Sequence, residues 1–188
     1  MVVIMSSVRT DAGQRATTTD VHAPPAQGIV RPSSASPPKG LRAILSLDDF
    51  EEAARRHLPR PLFGYIAGAA ETNLSRDDNR AAFQEFAFVP HVLRDVSKRS
   101  QQVELFGRVY AAPFGIAPTG LGALFAYRAD IALARAAASA NIPMIVSGSS
   151  LIKLEQIAQE GGASWFQAYL PGTPDRILAL LDRVERAR

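Results

Sequence analysis

The carboxyl-terminal part of the chain alternates short apolar runs with helical patterns, which restricts the fold to one built on parallel strands joined by helical crossovers. The runs are Phe114-Gly115-Ile116-Ala117, Met144-Ile145-Val146-Ser147 and Trp165-Phe166-Gln167-Ala168-Tyr169. Each is followed by turn residues: Pro118-Thr119-Gly120, Gly148-Ser149-Ser150 and Leu170-Pro171-Gly172. In parallel β/α proteins ligands bind at the carboxyl ends of the strands, so these segments form the candidate site. Three such units cannot close an eight-stranded barrel, which takes roughly 250 residues. The expected fold is therefore α/β: the first three units of an incomplete (β/α)8 barrel, preceded by a helical segment and a β-hairpin.

Residues 1–40 are poor in large apolar side chains, and Pro24-Pro25, Pro32 and Pro37-Pro38 break any regular element, so they read as a disordered Pro/Ser-rich tail. Order is expected from about residue 41, and residues 41–188 read as one domain. Ser46 is placed to cap a helix with Leu47, Phe50, Ala54 and Leu58 on one face, ended by Pro59. Pro61 opens a second helix over 62–70, and Ser75 with Asp78 starts a third running to about Phe86. Gln101–Leu105 and Val109–Ala111 read as hairpin strands, with nothing to say which end of the sheet they cover. Helices are expected over 130–140 and 154–159. Thr173 and Pro174 should open a last helix with Ile177, Leu178, Leu181 and Val184 on its buried side.

The net charge is only +3, and the basic residues are interspersed with acids, so there is no stripe for nucleic acid. No apolar run reaches the roughly 18 residues of a membrane span. There is no cysteine, which excludes disulfides, thiolate metal sites and a cysteine nucleophile, and fits a cytoplasmic protein.

Leu58-Pro59 with Gly64-Tyr65-Ile66-Ala67-Gly68-Ala69-Ala70-Glu71, then Asn79-Arg80 with Phe83, and Leu93-Arg94-Asp95-Val96 form an ordered series. It continues through Ala117-Pro118-Thr119-Gly120-Leu121, Ala132-Leu133-Ala134-Arg135-Ala136-Ala137 and Trp165-Phe166-Gln167-Ala168-Tyr169. The series resembles, in order and spacing, the amino-terminal portion of the FMN-dependent α-hydroxy acid dehydrogenases and oxidases. These include glycolate oxidase, L-lactate dehydrogenase and mandelate dehydrogenase. The stretch from Ala117 to Ala137 is most similar to the mandelate and lactate dehydrogenase branch.

The resemblance implies a TIM barrel, FMN as cofactor, and oxidation of a small (S)-2-hydroxy acid to a 2-oxo acid with hydride passing to flavin N5. It implies that Ala117, Pro118 and Thr119 lay their backbone beside the flavin, with Gly120 permitting close approach. Ser147 would contact the ring, and Gln167 its pyrimidine edge. Tyr65 would donate its phenol to the substrate carboxylate. Tyr169 would hydrogen-bond the substrate hydroxyl and stabilise developing charge. No metal is implied, and a homo-oligomer is expected for the full-length protein. Gly120 leans towards a dehydrogenase, while Gly148-Ser149 depart from the serine-tryptophan pair of the glycolate oxidase branch and leave substrate size open.

The family's base is a histidine in a His-Gly-x-Arg motif, and none of His22, His57 and His91 is followed by Gly-x-Arg. The arginine pair that clamps the carboxylate and the lysine beside the flavin are also missing. The 188 residues are therefore expected to be an inactive portion of such an enzyme. The alternative is a non-catalytic remnant or a half-barrel dependent on a partner. Another FMN or phosphosugar barrel fits the β/α repeat but does not account for Tyr65 and Tyr169 together.

Overall fold

The computed structural model describes residues 2–4, 39–162, 164–170 and 172–187. These described residues divide into two compact units, one formed by residues 2–4 with those from 101 onwards and the other by residues 39–100.

The larger unit carries the sheet. Strands β4 (Ile145–Ser147) and β5 (Trp165–Ala168) pair in parallel, with Ser147 opposite Gln167. Outside β5 lies β1 (Val2–Ile4), antiparallel and in register with Phe166 to Ala168. Of the residues read as a tail, 2–4 form this strand and 39–40 begin a short 3-10 turn, while residues 1 and 5–38 lie outside the described residues. On the other side of β4 the expected strand over 114–117 is reduced to a single parallel bridge, Ile116 to Met144. Ile116 N–H donates to the Pro143 carbonyl at 2.9 Å, and Ile145 N–H donates to the Ile116 carbonyl at 3.0 Å. The ladder stops there because Pro118 and Pro143, the next donor positions on either side of the bridge, have no N–H to continue it.

The crossovers are α4 (Ala129–Ala140) and α5 (Leu154–Gly161), with α6 (Pro174–Arg186) after β5. Ile131, Ala134 and Ala137 of α4 meet Met144, Val146, Ile157, Phe166 and Ala168 in one buried cluster. Small residues let α4 and α5 approach closely: a Cβ on Gly161 would stand 2.4 Å from that of Ala134, so only glycine fits there. Two forked ion pairs clip the helices outside. Arg135 grips Glu160 at 2.7 and 3.0 Å, and Arg183 grips Glu155 at 2.7 and 2.9 Å. On α6 it is Leu180 and Val184 that reach the core, whereas Leu178 is exposed.

Strands β2 (Val103–Leu105) and β3 (Arg108–Tyr110) form the expected antiparallel hairpin. Phe106 and Tyr110 pack edge-on against Trp165, the first residue of β5, at 5.4 and 6.4 Å between ring centres. Asn141, the left-handed cap of α4, ties the hairpin down by accepting Ala111 N–H at 2.8 Å. The hairpin thus covers the amino-terminal end of the sheet and leaves the carboxyl-terminal end to the loops.

The second unit consists of α1 (Asp49–His57), α2 (Arg60–Ala67), α3 (Leu74–Ala81) and a 3-10 turn over Ala82–Glu85. Neither serine caps as expected. The Asp49 carboxylate accepts the Leu45 and Ser46 amides at 2.7 and 2.8 Å, which holds its pKa below the ordinary value. Asn73, in the left-handed conformation, precedes α3 in place of Ser75 and accepts Ala69 N–H at 2.7 Å. Of the expected face, only Phe50 and Ala54 lie on α1; Leu47 precedes the helix and Leu58 follows it, and none of residues 39–100 is buried.

Candidate functional site

At the carboxyl ends of the strands, the segments 117–120, 147–150 and 167–170 lie side by side. Leu121 N–H donates to the Ser149 carbonyl at 3.1 Å, joining the first loop to the second. Ser147 and Gln167 face each other as register partners and are both buried, at 5% and 2% exposure. Buried polar side chains are normally paired, and this pair is partly so. Ser147 Oγ donates to Gln167 Oε1 at 3.3 Å, and Gly148 N–H donates to the same oxygen at 3.2 Å. Ser147 Oγ in turn accepts Ser149 N–H at 3.1 Å. Gln167 Nε2 is buried and has no partner among the described residues.

Gly148 has no room for a side chain. A Cβ there would stand 2.7 Å from the Gln167 carbonyl oxygen and 3.4 Å from the Tyr169 ring. Gly120 is similar: its Cβ would meet Ser149 Cβ at 3.2 Å and Ser147 Oγ at 3.7 Å. The three strand ends are therefore close enough that small residues are required wherever they touch. Thr119 and Ala117 are exposed above this floor, and Thr119 Oγ1 donates to the Ala117 carbonyl at 3.4 Å. Tyr169 projects from the end of β5 with 68% of its surface exposed.

Of the residues singled out from the sequence, Ala117, Pro118, Thr119, Gly120, Ser147, Gln167 and Tyr169 come together at one end of the sheet of the larger unit. Tyr65 stands on α2 of the other unit and is exposed. His57 closes α1 and His91 follows Pro90, both exposed; His22 lies outside the described residues. Among the described residues no group of three or more histidines, cysteines or carboxylates is arranged to hold a metal. No helix there is long and apolar enough to cross a membrane.

A second buried polar group went unnoticed in the sequence. Asp130, in the first turn of α4, is 2% exposed, and its Oδ2 has no partner among the described residues. It lies beneath the 3-10 turn Gly122–Leu124 that follows the first loop, 3.4 Å from where a Gly122 Cβ would stand. An acid at that position reads from sequence as a surface partner of the helix dipole.

FMN presents a flat ring system with carbonyl oxygens and an N–H along its pyrimidine edge. The site suits such a group on two counts. Gln167 offers a buried, unpartnered amide donor, and Gly120 and Gly148 keep the strand ends free of side chains that would obstruct a planar ring.

The family model described as FMN-dependent dehydrogenase matches residues 54–188. The 4-hydroxymandelate oxidase of Amycolatopsis orientalis is 38% identical over 143 residues, which cover 76% of this chain and 40% of that protein. The (S)-mandelate dehydrogenase of Pseudomonas putida is 37% identical over 128 residues, 68% of this chain and 33% of that protein. A crystal structure of mandelate oxidase superposes with a TM-score of 0.70 at 38% identity, covering 76% of this chain and 41% of that one. A soluble mutant of the membrane-associated (S)-mandelate dehydrogenase of P. putida gives 0.71 at 34% identity, covering 77% and 42%. The chain spans about two fifths of the length of the curated relatives it matches.

Proposed function

The chain belongs to the FMN-dependent dehydrogenase family, and from that premise we propose that it supplies the first three β/α units of a TIM-barrel enzyme oxidising a small (S)-2-hydroxy acid to the 2-oxo acid. The observation that carries this reading is the orphaned Gln167 amide at the end of β5, buried beside Ser147 where a flavin edge would satisfy it. Bound FMN supplies the hydride acceptor for the carbon-bound hydrogen of the substrate.

This chain's own residues bind and orient. Gln167, Ser147 and the backbone of Ala117, Pro118, Thr119 and Gly120 hold the flavin. Tyr65 donates its phenol to the substrate carboxylate. Tyr169 hydrogen-bonds the substrate hydroxyl and stabilises the negative charge that develops on that oxygen as its proton is removed. The base that takes the proton is not among these residues, because no histidine here stands in a His-Gly-x-Arg motif. The arginine clamp and the phosphate site are likewise not among them.

The test uses the full-length protein loaded with FMN and assayed on (S)-mandelate, L-lactate and glycolate with an artificial electron acceptor and with dioxygen. One of these acids should be turned over. Tyr169→Phe should lower kcat while the flavin stays bound, and Tyr65→Phe should chiefly raise KM. Full flavin loading with no turnover of any 2-hydroxy acid would sink the proposal.

A further inference from the structure

We propose that the outer edge of β5 is a strand-docking site and that Val2–Ile4 are a removable strap on it: β1 and the next parallel strand of the barrel are alternative occupants of the same backbone groups. The identity of the second occupant rests on the barrel reading above.

The alternation of the β5 backbone identifies those groups. Trp165 N–H donates to the Met144 carbonyl at 2.9 Å, so the Trp165 backbone faces β4. Gln167, two residues on, faces the same way, and Phe166 and Ala168 turn their N–H and C=O groups to the opposite edge. β1 lies on that edge, with Ile4 opposite Phe166, Val3 opposite Gln167 and Val2 opposite Ala168. In an antiparallel pair, opposite residues whose backbone groups face each other exchange both bonds. Ile4 with Phe166 and Val2 with Ala168 are thus the bonded pairs, and Val3 with Gln167 is the unbonded pair between them.

Without β1 these groups form an open edge, a template for another strand. A closed parallel barrel requires a strand there, because each of its strands pairs on both sides. That strand needs the same N–H and C=O groups of Phe166 and Ala168, and each residue has only one of each to give. Direction separates the two occupants. Barrel strands all run parallel, whereas β1 runs antiparallel to β5, so β1 is not one of them. The strap must therefore leave before the sheet extends past β5. Its brevity suits that exchange, since a three-residue strand holds by few bonds.

The chain contains no cysteine, so an engineered pair reports on the strap without background. Val3→Cys with Gln167→Cys puts thiols on the unbonded pair, where Cα atoms approach to about 4.5 Å, within disulfide reach. Mild oxidation of the 188-residue chain should cross-link this variant within single molecules, read by non-reducing peptide mass spectrometry. Adding Ile4→Pro, which deletes a donor of the bonded pair, should cut cross-linking about 10-fold while near-ultraviolet circular dichroism stays unchanged. By hydrogen exchange, Ile4→Pro alone should strip protection from the Phe166 and Ala168 amides and spare those of Trp165 and Gln167. In the full-length protein the same cysteine pair should cross-link at least about 10-fold less than in the 188-residue chain, because the next strand holds the edge.

No cross-link in the 188-residue chain, cross-links only between molecules, or cross-linking undiminished by Ile4→Pro would overturn the strap. Equal cross-linking in the full-length protein would overturn the competition for the edge. Lack of turnover in the wild-type full-length enzyme would overturn the functional reading alone, since the cross-link reports only on strand pairing.

Discussion

Gly148 is the tightest point of the candidate site, and its tightness is steric. Its φ is not in the left-handed region, so the whole penalty of a side chain comes from the 2.7 Å approach to the Gln167 carbonyl oxygen, a backbone atom that cannot swing away. Gly148→Ala should force β4 and β5 apart at their ends and destabilise the fold by about 1–3 kcal/mol. It should also weaken FMN binding, because Gly148 N–H is one of the two donors that hold Gln167. Urea unfolding of the flavin-free protein beside an FMN titration separates the two effects, and an unchanged value of either would contradict the corresponding half of the argument. Asp130 works in the opposite direction. A carboxylate oxygen that is buried and unpartnered is held there at a cost. Asp130→Asn, nearly the same shape and uncharged, should therefore raise stability by about 1–3 kcal/mol in the same unfolding assay; a lower midpoint would mean that the fold depends on the charge. That Gln167 and Ser147 stand near strand ends was legible in the sequence because chain order defines such a position. Asp130 was not, because its burial depends on the turn at Gly122–Leu124 folding over it, and no local pattern announces that.

Elements joined by ion pairs carry a pH signature. The Arg183 guanidinium on α6 lowers the pKa of Glu155 on α5 from 4.5 to about 2, and Glu155 raises that of Arg183. A carboxylate whose pKa is depressed in the folded state contributes stability above its unfolded pKa. That contribution is lost as pH falls through the folded value. The α5–α6 contact should therefore loosen between about pH 4.5 and 2. The pair is exposed, so its contribution is screened by solvent and salt. In Glu155→Gln the loss of stability on acidification, followed by thermal unfolding across that window, should be shallower; an identical profile would mean that Arg183 supports α5 without its partner. Helix existence was readable from three- and four-residue periodicity for α1 and α6, and from prolines, glycines, polar cap candidates and composition for the others. The caps were less so: Asp49 competes for the amides around Ser46, and Asn73 takes a left-handed turn that places it ahead of Ser75. The first strand was over-read because an apolar run was weighed without counting the donors removed by Pro118 and Pro143. The face of α6 was read one position off at Leu178 because helix periodicity identifies an apolar stripe without saying which part of it the sheet covers.

On the scale of the whole molecule, the distribution of apolar surface decides how these 188 residues behave by themselves. The larger unit buries a continuous cluster between sheet and helices. The unit of residues 35–100 buries nothing among its described residues, and it presents Leu47, Phe83, Phe86, Phe88, Val92 and Leu93 to solvent. The five from Phe83 to Leu93 fall in one short stretch, unlike the scattered exposure usual on a monomer, and they favour association. Periodicity in the sequence located an apolar face for the first of these helices, but whether such a face is covered depends on packing partners far along the chain or outside it, which local pattern does not encode. The chain expressed alone should consequently elute well above its 20.2 kDa in size exclusion with light scattering, and its apparent size should fall in mild denaturant or detergent. It should also show no turnover of a 2-hydroxy acid even with added FMN, because no histidine base in a His-Gly-x-Arg motif is present to take the hydroxyl proton. A positioned base commonly contributes about 100- to 10,000-fold, and two phenols do not replace it. Association and inactivity have separate causes, so they should separate by experiment. Substituting Phe83, Phe86 and Phe88 by serine should reduce the association without creating any activity. A monodisperse 20.2 kDa monomer that oxidises mandelate or lactate would refute both expectations at once, and would require a base from among residues assigned here to binding alone.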